Sequence, residues 1–298
     1  MRSAASWARE NNVKQARDAS VFTFWSLLAL YVVARVLQVY PGRVPMLVVV
    51  ALHVFPPAVF AVIHGAKLYR WRGILAFVIL CLVIGNVFEN VGVRTGFPFG
   101  HYYFTDVMGP KILAVPIMLG LAYVGMAYLS WTLAHVILDN VRTPLAGSRV
   151  VTLPVVAALI MVAWDLCLDP IWSTIVRAWI FPSGGAYFGV PISNFAGWYL
   201  TVYVIYQSFA LYLRRTAAAP APMPVAYWRQ AVLFYAVSAA GNLLLVAPQG
   251  RFRVASDASG SQWRVSDITA ACALITVFTM GAFALFAWLR LADRATAD

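Results

Sequence analysis

Four of the eleven carboxylates in this chain stand where charge is costly. Glu89 lies at the end of one apolar run, Asp106 in the segment that follows it, and Asp165 and Asp169 close another run. Asp165 and Asp169 are four apart and so share a helix face. Pro170 disfavours helix at Asp169 and is expected to end the run there. A carboxyl group shielded from water, beside a second one and at the negative end of a helix, keeps its proton to higher pH than one in solution. Such a group can donate a proton near neutral pH while a neighbour accepts one. The pattern points to proton-transfer chemistry. The competing reading is structural, with Arg94 pairing with Glu89 and Arg177 with Asp169. Glu10, Asp18, Asp139, Asp257, Asp267, Asp293 and Asp298 fall in tails or beside loops and read as solvated charges.

Other chemistries find less support. His53, His64, His101 and His135 form no short-spaced boxes, which argues against a di-iron desaturase or hydroxylase; His64 and His101 remain structural or secondary site residues. No GxGxxG follows a strand, so a flavin or nicotinamide fingerprint is missing. Cys81, Cys167 and Cys272 are too few and scattered for a disulfide framework or metal cage. Asp165–Asp169 matches the DxxxD with which intramembrane prenyltransferases hold magnesium on a diphosphate. A second aspartate-rich stretch is needed, and NVFEN at Asn86–Asn90 is a poor substitute. Neither a metal nor a cofactor is expected.

The elements that must position these acids are membrane helices. Of 298 residues, 62% are hydrophobic and 11% charged, against about 25% charged in a soluble domain. The net charge of +11 does not suggest a nucleic-acid partner, because the basic residues sit singly or in pairs between apolar runs. The expected fold is all-α, a polytopic bundle of about eight (seven to nine) transmembrane helices in one domain, with the bilayer as partner. The runs are roughly 21–40, 44–64, 73–91, 112–138, 150–168, 194–213, 229–247 and 267–290. Residues 1–20 and 291–298 read as polar tails and 216–228 as an Ala/Pro linker loop. The first run is too long for a signal-peptide core. Fourteen basic residues fall on the side of the termini and seven on the other, which favours both termini in the cytoplasm. In a bacterium this would be the inner membrane.

Two crossings separate successive odd-numbered runs, so the third and fifth end on the same side of the membrane. Both segments that follow them there are unusual. Gly92–Gly109 reads GVRTGFPFGHYYFTDVMG and Trp179–Trp198 reads WIFPSGGAYFGVPISNFAGW. Each mixes helix-breaking Gly and Pro with aromatics, and irregular backbone near membrane depth is tolerated where it lines a cavity or is buried in protein. Phe97, Phe99, Tyr102, Tyr103, Trp179, Tyr187, Phe195 and Trp198 could wall an apolar groove. For any single ring the alternative is an interfacial aromatic belt.

The strings ENVGVRTGFPFGHYYFTD (Glu89–Asp106), with Gly109–Pro110 and Val115–Pro116 after it, WDLCLDP (Trp164–Pro170) and GGAYFGVPISNFAGW (Gly184–Trp198) occur in this order. In them, and in HGA at His64–Ala66, the chain resembles the membrane carotenoid-biosynthesis family that includes carotenoid 1,2-hydratases and bisanhydrobacterioruberin hydratase. The likeness is strong over about 110 residues. It implies a cofactor-free membrane enzyme that adds water to the terminal double bond of an acyclic carotenoid, giving a tertiary alcohol. Other enzymes of the same pathway would be further partners. The candidate catalytic residues are Asp165, Asp169, Glu89 and Asp106, and the candidate substrate-binding residues are Phe99, Tyr102, Tyr103, Trp179, Tyr187, Asn194, Phe195 and Trp198. Asp165 or Asp169 would be the acid, and the other, or Glu89, the base; Asn194 and Tyr102 could position the water. The chain departs from the family pattern in VPIMLGLAYVGMAYLSW, whose tryptophan comes late, and in the Phe-Pro-Ser before Gly184. Three alternatives stand beside hydration: a cyclase beginning with the same proton transfer, a prenyltransferase, and a proton-coupled lipid transporter.

Overall fold

A computed structural model describes residues 4–40, 42–141, 145–216, 222–246 and 253–297, with side chains from residue 20 to 296. Arg2, Arg142, Arg251, Asp298 and residues 217–221 of the expected linker lie outside the described residues, as do the side chains of Glu10 and Asp18. The helices are α1 (Ala4–Leu37), α2 (Met46–Thr95), α3 (Ile117–Ile137), α4 (Arg149–Pro170), α5 (Ile192–Thr216), α6 (Val225–Leu243), α7 (Val265–Thr276) and α8 (Ala282–Ala297). A π-helical turn, Val277–Gly281, joins α7 to α8. In lipid the backbone must satisfy its own polar groups, so apolar runs of this length become helices.

Six helices are long and apolar enough to cross a membrane. One of them, α2, has 50 residues, about 75 Å at 1.5 Å per residue, more than twice the hydrocarbon thickness of about 30 Å. It reverses at Arg70, whose φ of 58° and ψ of 172° are not helical. Gly65 and Ile74 pack together across the reversal. The Tyr128 ring meets His64 on one arm and Phe77 on the other. The two arms are the expected second and third runs. The remaining run is α5, with 25 residues but more polar because of its tyrosines. Phe195, Trp198, Val202, Ile205, Tyr206 and Phe209 form its buried face at helical spacing. The molecule is an all-α membrane bundle.

Several boundaries differ from expectation. The first helix begins at Ala4 and takes in most of the expected polar tail, since no Gly or Pro interrupts the chain before Pro41. α8 likewise runs through the expected tail to Ala297, and α6 starts at Val225, inside the expected linker. Residues 111–116 form a small hairpin, β2 (Lys111–Ile112) with β3 (Val115–Pro116), so helix starts only at Ile117. Pro170 does not stop the fifth run. A π-helical turn, Ile171–Ile175, carries it on (Val176 N–H to Ile171 O, 2.8 Å), and the Leu166 carbonyl that proline leaves without an N–H donor takes the Tyr187 hydroxyl at 3.0 Å.

α3 lies at the centre of the bundle, buried on nearly every side from Ala122 to Val136 and packed against α2, α4, α6 and α8. One end of the bundle gathers the loops that follow α1, both aromatic segments and the α6–α7 connection. Gly96 ends α2 in the left-handed conformation (φ 80°), its N–H bonding Gly92 O at 2.7 Å. β1 (Tyr103–Phe104) then pairs antiparallel with β4 (Trp179–Ile180), setting Tyr103 opposite Ile180 and Phe104 opposite Trp179. That short ladder ties the two aromatic segments together. A hairpin, β5 (Val254–Ser256) with β6 (Gln262–Arg264), lies beside them. Its turn is built on Asp257, whose Oδ1 accepts from the Ser259 and Ser261 amides.

Candidate active site

The acids at the ends of α2 and α4 meet beneath the β1–β4 ladder. Glu89, Asp165 and Asp169 are 2%, 1% and 1% exposed. Glu89 accepts a hydrogen bond from the Tyr123 hydroxyl of α3 at 2.6 Å and another from Tyr102, just past α2. Asp169 is held on both oxygens: the Trp179 indole N–H donates to Oδ1 and the Asn194 amide to Oδ2, each at 2.6 Å. The same Asn194 amide reaches Asp165 Oδ2 at only 3.4 Å, and Asp165 Oδ1 is buried with no partner. A buried polar atom left unpaired costs about 1–3 kcal/mol, so this oxygen keeps unused hydrogen-bonding capacity within the site.

Tyr102 links the two halves. Burial foremost, then the adjacent Glu89 and, further down, Asp169 push its phenol up from the ordinary value, so it keeps its proton and serves as a donor. Its ring lies 5.7 Å from Phe181 beside β4, and Phe104 lies 6.3 Å from Trp179. Above the acids, the Trp198 ring stacks on Tyr123 at 4.7 Å and 9°, with Trp164 edge-on at 6.2 Å. Such faces can hold a transient cation.

The expected ion pairs do not form. Among the described residues Glu89 and Asp169 have no basic partner: Arg94 is exposed, and Arg177 donates to Ser256 O at 3.3 Å. Three acids without a cation in one desolvated site are suited to holding and moving protons.

Not every candidate residue joins the site. Asp106 sits on a short 3₁₀ turn, its side chain 99% exposed and paired with Lys111 at 3.0 Å. Tyr103 faces outward, because neighbours on an extended strand point to opposite sides and Tyr102 takes the inward place. Phe99 and Phe195 are buried one layer back, against Tyr102 at 5.8 Å and Tyr187 at 5.6 Å. Tyr187 donates to Leu166 O at 3.0 Å and braces α4. Trp179, Asn194 and Tyr102 bond the acids themselves, and Trp198 stacks on Tyr123, a partner of Glu89. Sequence reasoning missed Tyr123 and Trp164. The only signal for Tyr123 was a hydroxyl-bearing ring at a depth matching Glu89, and Tyr128 in the same span carries one too.

Comparison with known proteins agrees with this picture. The chain is 34% identical over 131 residues to the bisanhydrobacterioruberin hydratase of Haloarcula japonica, a match covering 44% of this chain and 42% of that protein. The chain thus aligns with less than half the length of this relative. No solved structure matches it. The family described as "Carotenoid biosynthesis protein" matches residues 42–250, a stretch containing both aromatic segments and all three buried acids. By that match, the chain belongs to the carotenoid biosynthesis protein family.

Proposed function

We propose that the protein is a carotenoid hydratase, adding water across the terminal carbon–carbon double bond of an acyclic carotenoid. The observation that carries this reading is the unequal solvation of the two aspartates. Asp169 has an N–H donor on each oxygen, which fixes its orientation and leaves it, of the two, the one arranged to receive a proton. Asp165 has one long contact and an unpartnered oxygen, an environment that favours the protonated acid. Asp165 accordingly gives its proton to the less substituted alkene carbon, forming a C–H bond and leaving a tertiary carbocation. The stacked faces of Trp198 and Tyr123 steady that cation, by about 2 kcal/mol or more in a desolvated site. Water forms the C–O bond from its lone pair and releases a proton to Asp169. Return of that proton to Asp165, by way of water, closes the cycle with one water consumed and no redox change. Glu89, held by Tyr102 and Tyr123, supplies the second acceptor that orients the incoming water.

The relative's name supports hydration, and membrane burial of the acids supports a lipid-soluble substrate. The charge asymmetry supports termini in the cytoplasm, so that the site would lie at the outer half of the membrane, and other enzymes of the pathway would hand the carotenoid over within the bilayer. The test is incubation of membranes containing the protein with an acyclic C40 carotenoid in oxygen-18 water. A hydratase gives a product heavier by one or two labelled waters. A cyclase gives an isomer of unchanged mass, and that result would overturn the proposal.

A further inference from the structure

The acids are walled closely by their own partners, so the long body of a carotenoid needs another seat. A void of 520 Å³ lies at the same end of the bundle, between the end of α1, the start of α2, the π-helical turn after Pro170 and the start of α7. Met46, Val49 and Ile175 are typical of its largely apolar lining, and none of the three acids touches it. Its wall includes Trp172, three residues past Asp169. The Trp172 ring lies nearly parallel to that of Trp179 (6°, centroids 6.4 Å apart), and Trp179 is the donor to Asp169. Two stacked indoles therefore connect the wall of the void to Asp169.

We propose that this void seats the hydrocarbon chain of the substrate, with Trp172 as the positioning residue that aims the terminal double bond at the acids. The size fits a definite length. A cavity of about 150 Å³ takes one six-carbon ring, so 520 Å³ takes about four five-carbon isoprene units. The volume falls within the usual range for small-molecule sites, about 300–1,000 Å³. A flat conjugated chain also matches an indole face better than a kinked saturated one does. That the chain is a carotenoid rests on the hydration reading; that an isoprenoid segment fills the void does not.

The experiment loads detergent-solubilised full-length protein with lycopene, separates free pigment by gel filtration, and reads bound pigment by absorbance and added water by mass. Wild type and Asp165→Asn are expected to bind equally. Ile175→Trp and Met46→Trp, which fill the void, retain less than a tenth of the pigment. Trp172→Ala loses part of the pigment binding and at least tenfold in turnover per bound pigment, and Trp172→Phe restores most of both. Should the filled variants misfold, Met46→Cys decides: its reaction with an apolar maleimide slows at least fivefold when lycopene is present. Cys81, Cys167 and Cys272 are buried and leave that signal clean. Pigment binding undiminished in folded Ile175→Trp and Met46→Trp, or maleimide labelling unchanged by lycopene, overturns the seat. Pigment bound by wild type without any gain of water overturns hydration and leaves the seat standing.

Discussion

Two buried polar clusters meet α3 five residues apart, at Tyr128 and at Tyr123, and they differ in how their atoms are spent. Toward the Arg70 reversal, His64 Nδ1 meets the Tyr128 hydroxyl at 2.6 Å and Nε2 meets Tyr227 O at 2.9 Å. Tyr227 returns a hydroxyl bond to His64 O at 2.9 Å, and its ring stacks on the imidazole at 3.7 Å. Every polar atom of His64 is used, and the cluster fastens α2, α3 and α6 together. Five residues earlier on α3, Tyr123 serves a cluster with three acids, no basic partner among the described residues and one unpartnered oxygen on Asp165. A closed network is expected to hold structure, and an open one keeps capacity for a proton and a guest. Carboxylates in a membrane are costly, which makes the open cluster the one to test for chemistry.

The largest effect should come from the unpartnered oxygen. Asp165→Asn keeps the shape and removes the proton, and hydration in membranes is expected to fall by about 10²–10⁴-fold, with thermal unfolding in detergent little changed. Full activity in that variant would break the contrast. Trp179→Phe keeps the ring over Asp169 but deletes its N–H. A hydrogen bond to a charged group is worth about 1.5–3 kcal/mol, so turnover should drop about 10- to 100-fold while pigment binding persists. His64→Phe tests the closed cluster: unfolding should become easier by about 1–3 kcal/mol, with turnover per folded molecule within twofold of wild type. Loss of activity without loss of stability would move His64 into the chemistry.

How much of this was legible follows from what kind of rule each feature obeys. That Glu89 and the Asp165–Asp169 pair share one end of the bundle follows from counting crossings, which depends only on apolar runs. That Trp179 reaches Asp169 depends on a two-residue ladder between Tyr103–Phe104 and Trp179–Ile180, and so short a pairing carries no readable alternation. The ladder also decides between adjacent tyrosines, turning Tyr102 in and Tyr103 out, where composition treats them alike. Pro170 was misread as a stop because proline rules describe α-helix, while the chain changes to a π-helical turn. Tyr123 and Trp164 escaped because single rings within apolar spans have no spacing that marks them.

The smallest expected effect sharpens the contrast most cheaply. Asp106 sits in the same aromatic segment as Tyr102, four residues on, and by sequence alone it is as plausible an acid as Glu89. Its surroundings are opposite: the carboxylate is almost wholly exposed, and Lys111, which also donates to Phe104 O at 2.9 Å, holds it at the surface. An exposed pair of this kind contributes little to folding. Asp106→Asn should therefore leave turnover within twofold and unfolding unmoved, measured beside Asp165→Asn in the same membranes. If it instead abolished hydration, the segment from Gly96 to Gly109 would have to fold inward during turnover. The open cluster would then be completed only in the presence of substrate, and burial at rest would no longer distinguish the acids that act from those that do not.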